Sequence, residues 1–300
     1  MKATATTIAS ANAEDRGWFG ILMELSKARL SGLAVFTTLV GFWLGSGSEI
    51  ARLLLLHTIV GTAALAGGAA ALNQFLEREH DAKMPRTRAR PLPSGRMQPE
   101  TGLILGGALA GFGLIYLAFL VNLLTALLGA LTLVIYLAIY TPLKRVTVLN
   151  TIVGAIPGAL PPLMGWTAAR GEVNIQGWGL FLILFFWQLP HFLAIAWLYR
   201  DEYAGAGFQM LPLIDPSGAR TGRQALSHTL GLLPVSLAPF VWHLVGRAYL
   251  AGAILLGLAF LYFAFQFARL RTATEARRLF YVSILYLPLL LGLMIIDKLR

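Results

Sequence analysis

Residues 53–92 read LLLLHTIVGTAALAGGAAALNQFLEREHDAKMPRTRARPL. The run begins as an apolar stretch of about twenty residues, the length that crosses a bilayer core as a helix. It passes without a turn signal into Asn73, Glu77 and Asp81. Side chains four apart share one face of a helix, so these three form a stripe. An amide oxygen and two carboxylates in one stripe suit a hard divalent cation such as Mg²⁺. Arg86 and Arg90 follow at the same spacing, and Pro85 and Pro91 shape the loop that holds them. Guanidinium forks match the oxygens of a diphosphate. The plainer alternative is a helix end reaching the headgroup layer, where charges are ordinary. The repeated spacing favours chemistry on a phosphorylated lipid at the rim of a membrane.

The rest of the chain supports a polytopic, all-α membrane protein. It has 300 residues, 57% of them hydrophobic and only 13% charged; a soluble domain carries about a quarter charged residues. Nine transmembrane helices are expected, near 30–46, 53–75, 101–121, 123–141, 148–168, 177–199, 226–244, 248–268 and 279–296. With the N-terminus inside, nineteen of the 24 Lys and Arg residues fall on inner segments and five on outer ones. That bias orients the chain and places its long loops, near 77–100 and 200–225, in the cytoplasm. It also accounts for the net charge of +10 without a nucleic-acid partner. Cysteine is absent, which excludes disulfides, thiolate nucleophiles and Cys-based metal sites. Residues 1–17 are polar and rich in small residues, with no signal-peptide core, and residues 1–20 are expected to be a disordered cytoplasmic tail. Residues 21–300 then form a single transmembrane domain.

Other residues gather near the same face. Asp201 and Glu202 follow the sixth span and read either as a second metal site or as a solvated acidic turn. Tyr140 and Lys144, four apart where the fourth span ends, read either as a diphosphate contact or as an interfacial aromatic with a snorkelling lysine. Lys27, ahead of the first span, carries the same two readings. His191 and Gln188 lie inside an apolar span beside Pro190, where polar groups are costly and often functional. A neutral imidazole there has two readings, a ligand for a haem iron or a partner of a neighbouring helix. Gly154, Pro157, Gly158, Pro161, Pro162 and Gly165 crowd the fifth span, an irregularity tolerated where a helix lines a cavity.

These blocks together resemble the UbiA superfamily of intramembrane prenyltransferases, over nearly the whole chain. The first is Asn73-x-x-x-Glu77-x-x-x-Asp81-x-x-Met84-x-Arg86-Thr87-x-x-Arg90-Pro91-Leu92. The second joins Tyr140-Thr-Pro-Leu-Lys144-Arg145 to Asn150-x-x-x-Gly154-x-x-x-Gly158 and Pro161-Pro162-x-x-Gly165-Trp166. The third is Trp187-Gln188-x-Pro190-His191-Phe192, continuing to Asp201-Glu202-Tyr203 and Met210-Leu211-Pro212. Glu77 in the middle acidic place, and the Arg86–Leu92 tail, look like the branch that farnesylates haem. The adjacent Asp201 and Glu202 depart from the spaced aspartates usual in the wider superfamily.

The resemblance implies a helical bundle around a central cavity and the conversion of haem B, farnesyl diphosphate and water into haem O and diphosphate. It implies Mg²⁺ held by Asn73, Glu77 and Asp81, with Asp201 and Glu202. Arg86, Arg90, Lys144 and Lys27 would meet the diphosphate beside Tyr140, and His191 the haem. Phe75, Trp166 and Trp187 are candidates to shield an allylic cation. A bacterial cytoplasmic membrane is the expected location, with the active site facing the cytoplasm. A haem A synthase or oxidase assembly factors are the implied protein partners. The competing expectations are a quinone-precursor or chlorin acceptor, and a transporter.

Overall fold

The computed structural model describes residues 17–299. A short helix, α1 (Trp18–Leu25), precedes the first span, so helix begins inside the stretch expected to be a tail; residues 1–16 lie outside the described residues. Then follow α2 (Ala28–Gly45), α3 (Arg52–Asp81), α4 (Pro99–Leu120) and α5 (Leu123–Leu143). The second half holds α6 (Asn150–Arg170), α7 (Ile175–Leu198), the short α8 (Arg200–Gly205), α9 (Ala219–Val241), α10 (Arg247–Leu270) and α11 (Ala273–Ile296). Among the described residues no β-strand is present beyond an isolated bridge between Val245 and Lys298.

Eight of these helices are long and apolar enough to cross a membrane. The ninth expected span corresponds to α9, which has 23 residues but is diluted by Arg220, Arg223, Gln224, Ser227, His228, Pro234, Ser236 and Pro239. Its length allows a crossing, but its composition is less apolar than that of the other eight. It packs between α7 and α10, and its buried face is polar in places: Tyr249 donates to the Ser236 carbonyl at 2.6 Å.

Helices meet through small residues because bilayer lipids offer no hydrophobic gain for association, and close backbone contact supplies the attraction instead. A Cβ on Gly165 of α6 would sit 1.9 Å from the Thr38 carbonyl oxygen, and one on Gly41 of α2 would sit 1.9 Å from that of Pro162. The two helices therefore touch backbone to backbone. α6 stays helical through Pro157, Pro161 and Pro162, with neighbours bonding into it: Thr38 reaches the Pro161 carbonyl and Gln188 that of Ala155.

Three helix ends and two helix starts converge at one end of the bundle. These are the C-terminal ends of α3, α5 and α7 and the N-terminal starts of α2 and α6. They frame the mouth of a cavity of about 370 Å³ that runs between these five helices.

Candidate active site

The stripe predicted on α3 forms as expected, and it is buried. Asn73, Glu77 and Asp81 are each 3% exposed or less and all line the cavity. Each meets one cation. Lys27 Nζ donates to Asn73 Oδ1 at 2.7 Å, Lys144 Nζ to Glu77 Oε1 at 2.7 Å, and Arg90 Nη1 to Asp81 Oδ2 at 2.7 Å. Six of the residues read from sequence as metal or diphosphate ligands, Lys27 among them, thus sit in one array of two ion pairs and a charge-assisted hydrogen bond.

The local fold explains each placement. Lys27 holds a left-handed backbone, φ 45°, at the break between α1 and α2, which turns its side chain into the mouth. Gln74 ties that break to α3, donating to the carbonyls of Glu24 and Leu25. Thr87 fixes the loop after α3 by donating to the Asp81 carbonyl at 2.8 Å, which brings Arg90 back over the carboxylate. Lys144 follows a π-helical turn, Ile135–Tyr140, directly before Pro142. π-turns recur at functional sites because they re-aim side chains. Here the turn stacks Tyr136 on Tyr140, ring centroids 5.8 Å apart, and both line the cavity. Lys144 Nζ lies 4.6 Å from the Tyr140 ring centre and 5.6 Å from that of Phe208.

Charge follows from these contacts. Burial draws the Lys27 ammonium down to about 7, Arg90 pushes the same way, and the Glu77 carboxylate opposes them. Burial also acts against charge on Lys144, but the Glu77 carboxylate beside it carries the ammonium above its usual value.

Arg86 reaches across the mouth from the other side. Its guanidinium lies over the rings of Tyr199 and Tyr203, and Nη2 donates to the Tyr203 hydroxyl at 3.2 Å. The loop after α7 closes the same edge, with the Gln209 amide donating to the Lys144 carbonyl at 2.6 Å.

Asp201 and Glu202 are not brought to the cavity. α7 ends at Leu198 and α8 begins at Arg200; Tyr203 lines the cavity while the Asp201 side chain is 97% exposed, 3.9 Å from Arg200. Glu202 Oε2 is buried without a hydrogen-bond partner, outside the cavity lining. The second metal site expected from this acidic pair is therefore not formed in this arrangement. Among the described residues no group of three His, Cys, Asp or Glu could hold a metal. The donor set near the mouth is two carboxylates and an amide, Glu77, Asp81 and Asn73. Those are the hard oxygen donors that Mg²⁺ takes, and the residues fit that ion.

Away from the mouth the lining turns apolar, through Leu33, Ala34, Leu65, Ala66 and Met164. Trp187, Gln188 and His191 of α7 line the opposite wall. Of the three aromatics proposed to shield a cation, only Trp187 lines the cavity. Phe75 packs toward α1 under Arg78, and Trp166 lies in the core between α6, α7 and α2. Sequence reasoning missed Tyr136 and Phe208, and quoted Thr87 and Tyr203 only within motifs, without a role of their own. Thr141 was also missed; it receives the Asn73 amide at 3.0 Å. A polar Thr-Pro pair at the end of a span was the available signal for Thr141.

Residues 34–287 match the model of the UbiA prenyltransferase family. Over 285 residues the chain is 49% identical to the protoheme IX farnesyltransferase of Solibacter usitatus, covering 92% of this chain and 98% of that one. Among solved structures, a digeranylgeranylglyceryl phosphate synthase superposes with a TM-score of 0.79 at 16% identity, covering 93% of this chain and 98% of that one. A UbiA homologue from Archaeoglobus fulgidus, solved with GPP and Mg²⁺, superposes with a TM-score of 0.64 at 13% identity over 91% of this chain and 99% of that one. With a family match over most of its length, a relative this similar and the same helical fold, the chain belongs to the UbiA prenyltransferase family.

Proposed function

We propose that the protein transfers the farnesyl group of farnesyl diphosphate to a vinyl group of haem B, with addition of water, to give haem O and diphosphate. The observation that carries this reading is the cavity. Its mouth gathers Lys27, Arg90, Lys144 and two carboxylates, its wall is apolar, and an imidazole stands on the far side. Similarity to the Solibacter usitatus farnesyltransferase supports haem as the acceptor.

Asn73, Glu77 and Asp81 would hold Mg²⁺. Bound there, the ion would neutralise diphosphate charge as the allylic C–O bond lengthens. The chain's own cations do the rest. Lys144, Arg90 and Lys27 turn from the carboxylate stripe to the diphosphate oxygens, and preorganised positive charge of this kind stabilises a leaving anion strongly. Arg86, held flat on two tyrosines, closes the edge of the mouth. The farnesyl tail lies along the apolar wall, where water is excluded and the developing cation meets the Trp187 face. The haem vinyl carbon attacks that cation, and water captures the new cation beside the macrocycle, giving up one proton to the released diphosphate. We place the site on the cytoplasmic face of a bacterial inner membrane, because the mouth lies at the end that carries most of the Lys and Arg.

The test is product analysis by mass spectrometry, using purified protein with Mg²⁺, farnesyl diphosphate and haem B. Haem O is expected. Unchanged haem alongside a prenylated quinone precursor, in a matched assay with that acceptor, would replace this reading with the alternative.

A further inference from the structure

His191 is held more tightly than a cavity-lining histidine needs to be. Its ring is stacked on both faces, against Trp187 at 5.2 Å and Phe280 at 5.0 Å between centroids. Its Nδ1 lies 2.7 Å from Ser283 Oγ on α11. That hydroxyl has one proton, and it goes to the Phe280 carbonyl one turn back, at 2.6 Å. Ser283 is therefore left to accept from His191, so Nδ1 carries the imidazole proton. The other nitrogen, Nε2, is then a bare lone pair on the ring edge that remains open to the cavity. The same turn of α11 fixes the neighbouring ring, since Trp187 Nε1 donates to the Ser283 carbonyl at 2.8 Å.

We propose that His191 Nε2 is the axial ligand of the haem iron, and that Ser283 is the positioning residue that sets its tautomer and ring plane. This rests on haem being the acceptor and names how it is seated. A neutral imidazole whose far nitrogen is fixed by a hydrogen bond is the arrangement by which proteins aim histidine at a metal. Two flanking rings prevent rotation about the side chain, so the iron takes one position relative to Trp187. Of the two uses for a bare Nε2, iron ligation and proton abstraction from the captured water, the rigid clamp fits the first better. A base needs only reach, whereas a ligand needs a fixed direction.

The experiment uses the full-length protein in detergent with ferrous haem B and no farnesyl diphosphate, so that no turnover occurs. Resonance Raman spectroscopy reads the iron–histidine stretch, and titration reads haem affinity. Wild type should show the stretch. His191→Ala should lose it, and added imidazole should restore an iron–imidazole band, which also shows that the pocket is intact. Ser283→Ala should lower the stretching frequency and weaken haem binding about tenfold, the usual effect of removing a partner behind a metal-binding histidine. Ser283→Thr, which keeps the hydroxyl, should restore both. A stretch that survives His191→Ala would overturn the ligand assignment, and a frequency unmoved by Ser283→Ala would overturn the positioning role. Haem O formation by a wild-type protein that shows no stretch would overturn this inference alone. Failure of the wild type to bind haem at all would overturn it together with the proposed acceptor.

Discussion

Lys144 and Glu77, 67 residues apart in the chain, meet at 2.7 Å inside the mouth of the cavity. Their side chains are 13% and 4% exposed, so each needs the other in a place with little water. Removing one partner of such a pair leaves a buried, uncompensated charge and costs about 3 kcal/mol or more. Glu77→Gln and Lys144→Met should each lower the melting temperature in detergent. The double variant should lose less than the sum of the two. Strict additivity in that cycle would show that the pair contributes no coupling.

The three cations also bear on metal binding. Each donor of the stripe already holds an ammonium or guanidinium group, so a divalent ion must displace them. The diphosphate offers them somewhere to go. Metal should therefore bind weakly to the free protein and tightly with diphosphate present, which calorimetry with and without a non-hydrolysable farnesyl diphosphate analogue would resolve. Asp81→Asn should reduce turnover by on the order of 100-fold or more while the protein stays folded, and chelation should abolish wild-type turnover until Mg²⁺ is returned.

Arg86 is used for its shape as well as its charge. It lies over Tyr199 and Tyr203, a contact worth ~1 kcal/mol that a lysine ammonium reproduces poorly. Arg86→Lys should raise the KM for farnesyl diphosphate about fivefold with a smaller change in kcat. Tyr203→Phe removes only the hydroxyl acceptor and should have the milder effect. Equal KM values for wild type and Arg86→Lys would mean that the stacking has no part in substrate binding.

Acid sensitivity should arise in the loop before α9. Asp215 is 5% exposed and takes three hydrogen bonds, from the Thr221 amide, the Thr221 hydroxyl and Ser217. Burial pushes its carboxyl upward, but the hydrogen bonds led by Thr221 outweigh it and hold the group below its usual value. A carboxyl lowered on folding adds stability that is present in full above its unfolded value, about 3.9, and fades as the pH falls through the lower folded value. Wild-type melting temperature should thus fall more steeply than that of Asp215→Asn below about pH 4. Parallel curves would assign the acid sensitivity elsewhere.

Much of the site was legible because helical spacing is a strong local signal. Asn73, Glu77 and Asp81 share a face at four-residue intervals, and Arg90 joins them through a loop only nine residues on from Asp81. Lys27 was ambiguous in sequence because its direction depends on a left-handed residue at a helix break. Tyr136 was legible by the same rule, since it lies four residues before Tyr140 and lines the cavity with it, whereas Thr141 enters only through its contact with Asn73 from another helix. Asp201 and Glu202 kept two readings in sequence because their direction depends on how α8 follows α7, and that is a tertiary matter: the Asp201 side chain is exposed while Tyr203 of the same short helix lines the cavity. The ninth span sits at the border of what composition can identify, since α9 gains its place by packing between α7 and α10.

The crossing of α2 and α6 at Gly41 and Gly165 has a bearing on which isoprenoids fit. Thr37 and Met164, beside those glycines, form part of the cavity wall. Backbones already in contact have no slack, so that wall cannot retreat to admit a longer tail. On the proposed function, discrimination by chain length would then belong to the deep wall, because the charged mouth would grip the same diphosphate whatever hydrocarbon it carries.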